Sequence, residues 1–187
     1  MLLLHRCHVG AALVPSRRDG SERRPHKRQR FLWDEPVRKA LRESIQETRQ
    51  SFPFKVEAWV LLPGPLHCIW TLPPNHDDFS IRGLLIKGGV SKRGKEYENP
   101  ALLSNSRVER GESSLWQRRF WEHYLGDEQD LIKHLDYVHF NPVKHGYVEQ
   151  PRDWRYSTFR RCVARGLYRI DCGAGVTFEG EFGDVDD

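Results

Sequence analysis

Two side chains in this sequence have functional groups suited to work on a polar bond, and they lie far apart along the chain: the imidazole of His67 and the phenol of Tyr137. His67 follows a turn punctuated by Pro63, Gly64 and Pro65, where an imidazole serves either as a satisfied edge histidine or as a metal ligand. Tyr137 falls in a stretch of helical period, where a tyrosine either packs its ring or presents its hydroxyl. Its company sets it apart. Lys133 and Asn141 lie one turn away on either side and His134 sits beside them, a polar and partly basic stripe on an otherwise apolar helix. Asn141 precedes Pro142, which disfavours helical backbone at 141, so its amide also reads as a helix-end cap. The cysteines, Cys7, Cys68, Cys162 and Cys172, are widely spaced with no C-x-x-C pair and read as reduced thiols, neither a zinc knuckle nor a disulfide framework.

The elements that must position these groups follow from period and punctuation. After Asp34 and Pro36, a capping residue and a first-turn proline, Val37, Leu41, Ile45 and Thr48 recur at helical spacing and predict a helix ending before Pro53. Residues 55–62 and 66–72 are β-prone and predict two strands joined by the Pro63-Gly64-Pro65 turn. Alternation puts His67, Ile69 and Thr71 on one sheet face and Leu66, Cys68, Trp70 and Leu72 on the other. A helix weakened by Gly83, Gly88 and Gly89 is expected over residues 79–92, a polar loop over 93–114 and a third strand over 115–125. The clearest helix is expected over 128–140, stopped by Pro142 with Gly146 beyond, and a short amphipathic segment covers 157–165.

The order helix, strand, strand, helix, strand, helix predicts an α+β fold, an antiparallel sheet with helices on one face. A ferredoxin-like arrangement requires one more strand before Asp34. Residues 1–30, dense in Arg and broken by Pro15, Gly20 and Pro25, do not supply a good one and read as a disordered basic arm. Residues 31–166 are then the domain, and 167–187 an acidic, Gly-rich tail without a core signal.

A chain of 187 residues and 22.0 kDa accommodates one domain, and no apolar run reaches the roughly 20 residues of a membrane span. Nothing near Met1 resembles a cleavable signal, so a cytoplasmic protein is expected. The net charge of +4 hides a gradient: residues 1–33 hold 8 basic and 2 acidic side chains, and residues 171–187 hold 6 acidic and none basic. A basic middle with interleaved aromatics, as in Trp116-Gln117-Arg118-Arg119-Phe120-Trp121, suits a polyanion whose bases can stack; a plain solvated surface is the alternative.

Five blocks in order carry a resemblance: A-W-V-L-L-P-G-P-L-H-C-I-W-T-L-P (58–73), L-I-K (85–87), W-Q-R-R-F-W-E-H (116–123), D-Y-V-H-F-N-P-V-K-H-G-Y-V (136–148) and D-W-R-Y-S-T-F (153–159). From about residue 32 to residue 166 the chain resembles the REP-associated tyrosine transposases, relatives of single-strand transposases with a His-hydrophobe-His nuclease motif. The resemblance implies a ferredoxin-like nuclease domain that cuts single-stranded DNA near a hairpin. The tyrosine hydroxyl attacks the phosphate to give a 5′-phosphotyrosine and a free 3′-OH, aided by a divalent metal on two histidines and a polar helix residue. On that pattern Tyr137 matches the nucleophile, His67 the second metal histidine and Asn141 the third ligand. Pro65 stands at the first metal histidine and has no side-chain lone pair to offer, so one imidazole and one amide are expected to hold Mg²⁺ or Mn²⁺ weakly. The partner implied is single-stranded or hairpin DNA. Lys87, Lys92, Arg93, Arg118, Arg119, Lys133 and Lys144 are candidates for phosphates, and Trp116 and Trp121 for base stacking. The other reading of the same residues is a hairpin-DNA-binding protein or remnant that has lost cleavage through Pro65.

Overall fold

The computed structural model describes residues 7–11, 32, 34–63, 65–74, 78–116 and 121–172. Strands β1 (Cys7–Ala11), β2 (Lys55–Leu61), β3 (Leu66–Thr71) and β4 (Trp121–Leu125) form one antiparallel sheet in the order β2-β3-β1-β4. Helix α1 (Glu35–Ser51) connects β1 to β2, and α2 (Phe79–Arg93) precedes β4. The result is the ferredoxin-like β-α-β-β-α-β order, continued by α4 (Glu128–Lys144) and α5 (Phe159–Ala164). A short helix, α3 (Asn105–Glu109), interrupts the loop expected over 93–114.

The strand expected to be missing is present and central. Val9 of β1 pairs with Ile69 on one side and with His123 on the other. Its sequence, C-H-V-G-A, has little intrinsic preference for strand and a glycine in its interior, so two flanking ladders hold it rather than propensity. The rest of the expected basic arm lies outside the described residues, as does 173–187 of the expected tail. Tyr168, assigned to that tail, is a packing residue: its ring stacks 5.3 Å from that of Phe159 and its hydroxyl donates to Asp136 Oδ1 at 2.8 Å.

The crossover helices α1 and α2 cover one face, burying Leu41, Ile86 and Val90 with Leu66, Cys68 and Trp70 of β3. Helix α4 lies on the opposite face, burying Val138 and Tyr137 against Ala58, Val60 and Ile69. Helices therefore occupy both faces, and β3 is buried on both. Gly89 has a reason that its propensity concealed: a Cβ there would lie 2.5 Å from Ser44 Oγ, so the α1–α2 contact needs a residue without one.

The third strand begins only at Trp121; Leu115 and Trp116 are buried in the α1–α2 core instead. Helix α4 runs through Pro142 to Lys144 rather than stopping before it. The proline lies in the last turn, where the chain still closes: His145 N–H reaches Asn141 O at 3.0 Å, and Gly146 takes the left-handed conformation, φ 67°, that ends the helix. The 153–159 block covers the free edge of β2. Leu61 N–H donates to Tyr156 O at 2.9 Å, Thr158 N–H to Trp59 O at 3.0 Å, and Trp154 Nε1–H to Leu61 O at 3.0 Å. Among the described residues no helix is long and apolar enough to cross a membrane.

Candidate active site

His67 sits one residue into β3, opposite Val60 of β2 and Ala11 of β1. Alternation turns it to the face covered by α4, together with the fully buried Ile69. Helix α4 begins at an N-cap, Asp127, whose carboxylate accepts from Asp130 N–H at 2.8 Å, and this sets the phase of the helix. With that phase Asp130, His134, Tyr137 and Asn141 fall at intervals of four, three and four along one stripe.

The stripe brings Tyr137 onto His67. Their rings meet edge to face with centroids 5.5 Å apart and planes at 88°. Both are buried, Tyr137 at 2% and His67 at 4% exposure, so the two groups share a site that is closed rather than the open groove their roles would call for. Lys144 places its ammonium 5.3 Å from the centre of the Tyr137 ring. Burial, and then the charges of His145 and Lys144, push the His67 imidazole down to about 3, which leaves it neutral with a lone pair available at ordinary pH.

Asn141 is fully buried, and neither its Oδ1 nor its Nδ2 has a hydrogen-bond partner; Nδ1 of His67 is in the same condition. Buried polar atoms left unpaired are rare and cost about 1–3 kcal/mol each. Two such residues on the face shared with Tyr137 fit a divalent cation that would take one imidazole nitrogen and one amide oxygen and fill its remaining positions with water or phosphate oxygens. Pro65 adds nothing to that donor set: its carbonyl accepts from Leu62 N–H at 2.9 Å and closes the β2–β3 turn. The helix-end role open to Asn141 falls away, since the residue lies inside α4.

The surface candidates divide. Lys92 and Lys133 are exposed, as is Lys144. Lys87 is half-buried and burial lowers its ammonium to about 8. Arg93 is engaged, with Nε 3.3 Å from Glu43 and Nη2 on Glu47. Trp116 cannot stack on a base: it is 5% exposed, and its Nε1–H donates to Lys87 O and Ser91 Oγ at 3.1 and 2.8 Å. Its place in an alternating stretch suggested a surface strand, whereas the strand starts five residues later. Arg118 and Arg119 lie outside the described residues, and Trp121 opens β4 opposite Ala11. A cavity of about 160 Å³ elsewhere is lined by Arg38, Arg42, Arg155, Trp59 and Tyr156, a cationic and aromatic surface that was not among the candidate residues, although Trp59, Arg155 and Tyr156 lie within the motif blocks.

A second cluster was also missed. His123 of β4 and Asp130 and His134 of α4 bring one donor atom each within 4.8 Å of one another. The i, i+4 spacing of Asp130 and His134 was a legible signal; its partner on a strand was not.

No protein-family model matches the chain. It is 45% identical over 137 residues to the REP-associated tyrosine transposase of Escherichia coli strain K12, the match covering 73% of each chain. A Haemophilus influenzae protein given the same name provisionally is 41% identical over 133 residues, 71% of this chain and 74% of that one. The solved structure of a REP-associated tyrosine transposase bound to a REP hairpin superposes with a TM-score of 0.72 at 35% identity, covering 96% of this chain and 92% of that one.

Proposed function

The chain belongs to the REP-associated tyrosine transposases, and we propose that it nicks and rejoins single-stranded DNA beside a REP-like hairpin in the cytoplasm, with Tyr137 as nucleophile. The observation that carries the reading is the meeting of Tyr137 and His67 at 5.5 Å on a face where the polar atoms of Asn141 and His67 are buried and unpaired. The Tyr137 oxygen attacks the scissile phosphorus and its proton passes to solvent. The bond from phosphorus to the 3′-oxygen breaks, that oxygen leaves as a 3′-OH, and the 5′-phosphate stays on the phenol. In the second half a 3′-OH attacks the phosphotyrosine, restores a diester and frees the phenol.

A phenol with an ordinary pKa of about 10 is a weak nucleophile at neutral pH, so charge on the phosphate must be offset. His67 and Asn141 would hold Mg²⁺ or Mn²⁺, which supplies that offset by drawing charge from the phosphate oxygens. Lys144, beside the Tyr137 ring, adds a fixed positive charge where the phenolate character develops. Because Tyr137 and His67 are closed off, DNA must displace the side chains over them, which couples cleavage to binding. Lys92, Lys133 and Lys144 are the exposed cations suited to the backbone.

A denaturing gel of the protein with a labelled hairpin strand and Mn²⁺ tests the reading. A shifted covalent band is expected from the native chain and none from Tyr137→Phe; an adduct surviving in the variant removes Tyr137 from the role. The second reading, a hairpin binder without cleavage, draws on Pro65 at the place of a metal ligand and on the burial of Tyr137. It predicts retarded DNA on a native gel with no covalent band.

A further inference from the structure

We propose that His123, Asp130 and His134 form a transition-metal site separate from the nucleolytic one, clasping β4 to the first turns of the helix that carries Tyr137. Asp130 stands between the two imidazoles: its Oδ2 lies 3.0 Å from His123 Nε2, and its Oδ1 lies 3.0 Å from His134 Nδ1. Ligands at about 2.1 Å from a metal and at right angles are about 3 Å apart, so each nitrogen–oxygen pair already has the spacing of neighbouring corners of a coordination shell. The rings of His123 and His134 stack with centroids 5.1 Å apart and planes at 16°, an arrangement that two protonated imidazoles would resist and that a shared dication would favour. Each imidazole would bind as the neutral ring through the nitrogen that faces the carboxylate, with its proton carried on the other ring nitrogen.

The elements fix the three donors independently. Asp130 and His134 are one turn apart on α4, and the N–H of Gly126, just before that helix, donates to Asp130 Oδ2 at 3.2 Å. His123 comes from β4, where it pairs with Val9 of β1, and its half-exposed ring leaves one side of the cluster open to solvent. The carboxylates of Asp127 and Glu128 offset the positive end of the helix, which would otherwise oppose a cation. Two imidazoles and one carboxylate select Zn²⁺, Co²⁺ or Ni²⁺ over Mg²⁺, whose preference is for oxygen. The separation from His67 follows from the register. Across the sheet His67 sits two strands over, at the level of Ala11, while His123 sits at the level of Val9. At about 4.8 Å per strand the two imidazole positions are on the order of 10 Å apart, too far to share one ion.

Co²⁺ titration of the full chain in excess Mg²⁺, followed by visible absorption, tests the site, with Zn²⁺ calorimetry as a second measure. One equivalent with nitrogen and oxygen ligation is expected. His123→Gln, a half-exposed position whose change leaves the core intact, should weaken binding about tenfold or more with an unchanged far-ultraviolet spectrum, and Asp130→Asn should do the same. His67→Gln should leave the titration as it is. Titrations of native chain and His123→Gln that coincide, loss of the ion in His67→Gln, a thiolate charge-transfer band, or no Co²⁺ uptake by the native chain would each overturn the assignment.

Discussion

The imidazole of His67 and the ring of Tyr137 meet edge to face across the contact between β3 and α4, at 5.5 Å between centroids. Neither residue is held there by a local rule. The position of His67 depends on strand alternation and that of Tyr137 on the phase of a helix started 10 residues earlier by Asp127. The site is therefore as rigid as the packing of α4 on Val60 and Ile69, and changes to its polar members can be made without dismantling it.

Position 65 offers the most direct change. Pro65 contributes its carbonyl to the turn and nothing to a cation, and a histidine keeps that carbonyl. Pro65→His should cost about 0.4–1 kcal/mol through the freer unfolded chain. It should raise Mn²⁺-dependent adduct formation about tenfold or more, since even outer partners of a metal are worth 10–100-fold. An unchanged adduct yield on the gel would mean that cleavage does not depend on a ligand there.

Asn141 should show function and stability pulling in opposite directions. Its amide is fully buried with both polar atoms unpaired, so an apolar side chain of similar size removes a desolvation cost. Asn141→Leu is expected to stabilise the free protein by about 1 kcal/mol, a rise of about 2–4 °C in melting temperature for a chain of this size, and to abolish the covalent adduct. A variant that melts lower would show that the amide is paired in solution.

Much of this architecture was legible. Helical spacing from Val37 to Thr48, the two β-prone runs around Pro63 and Pro65, and the stripe through Tyr137 all gave elements where they were expected. What escaped was set by partners distant in sequence. The strand at Cys7–Ala11 has weak propensity and exists through pairing with β3 and β4. Pro142 reads as a stop, yet it sits where the last helical turn can lose one hydrogen bond. Trp116 reads as a stacking platform beside Arg118, but its indole N–H has two partners on α2 and takes the ring inward. The face of His67 was readable; that α4 rather than solvent would cover it was not.

Lys87 gives a pH signature. Burial lowers its ammonium to about 8, against 10.5 for the ordinary side chain, so the folded state releases the proton first. Between about 8 and 10.5 the unfolded chain binds more protons than the native one, and this residue's contribution to stability therefore rises with pH through that window. Below 8 the native state bears the full cost of a charged, half-buried amine. Lys87→Met should be more stable than the native chain at pH 7, with the advantage shrinking as pH approaches 10.5 in paired urea titrations. A difference independent of pH would place the Lys87 ammonium in water.

Salt dependence separates backbone contact from mere surface charge. Lys92 and Lys133 are exposed on α2 and α4, whereas Arg93 is already engaged by Glu43 and Glu47. If the two lysines neutralise phosphates, each releases counterions on binding, and the logarithm of affinity for a hairpin-bearing single strand falls linearly with that of salt concentration, by about 0.7 per contact on single strands. Lys92→Ala and Lys133→Ala should each weaken binding for every hairpin sequence tried and flatten the slope by about that amount, and the double variant by about twice as much. Arg93→Ala should leave the slope as it is, because its charge is directed at carboxylates rather than at solvent. Binding curves measured from 50 to 300 mM salt decide it: slopes that stay parallel across the lysine variants would move the DNA track away from these two positions.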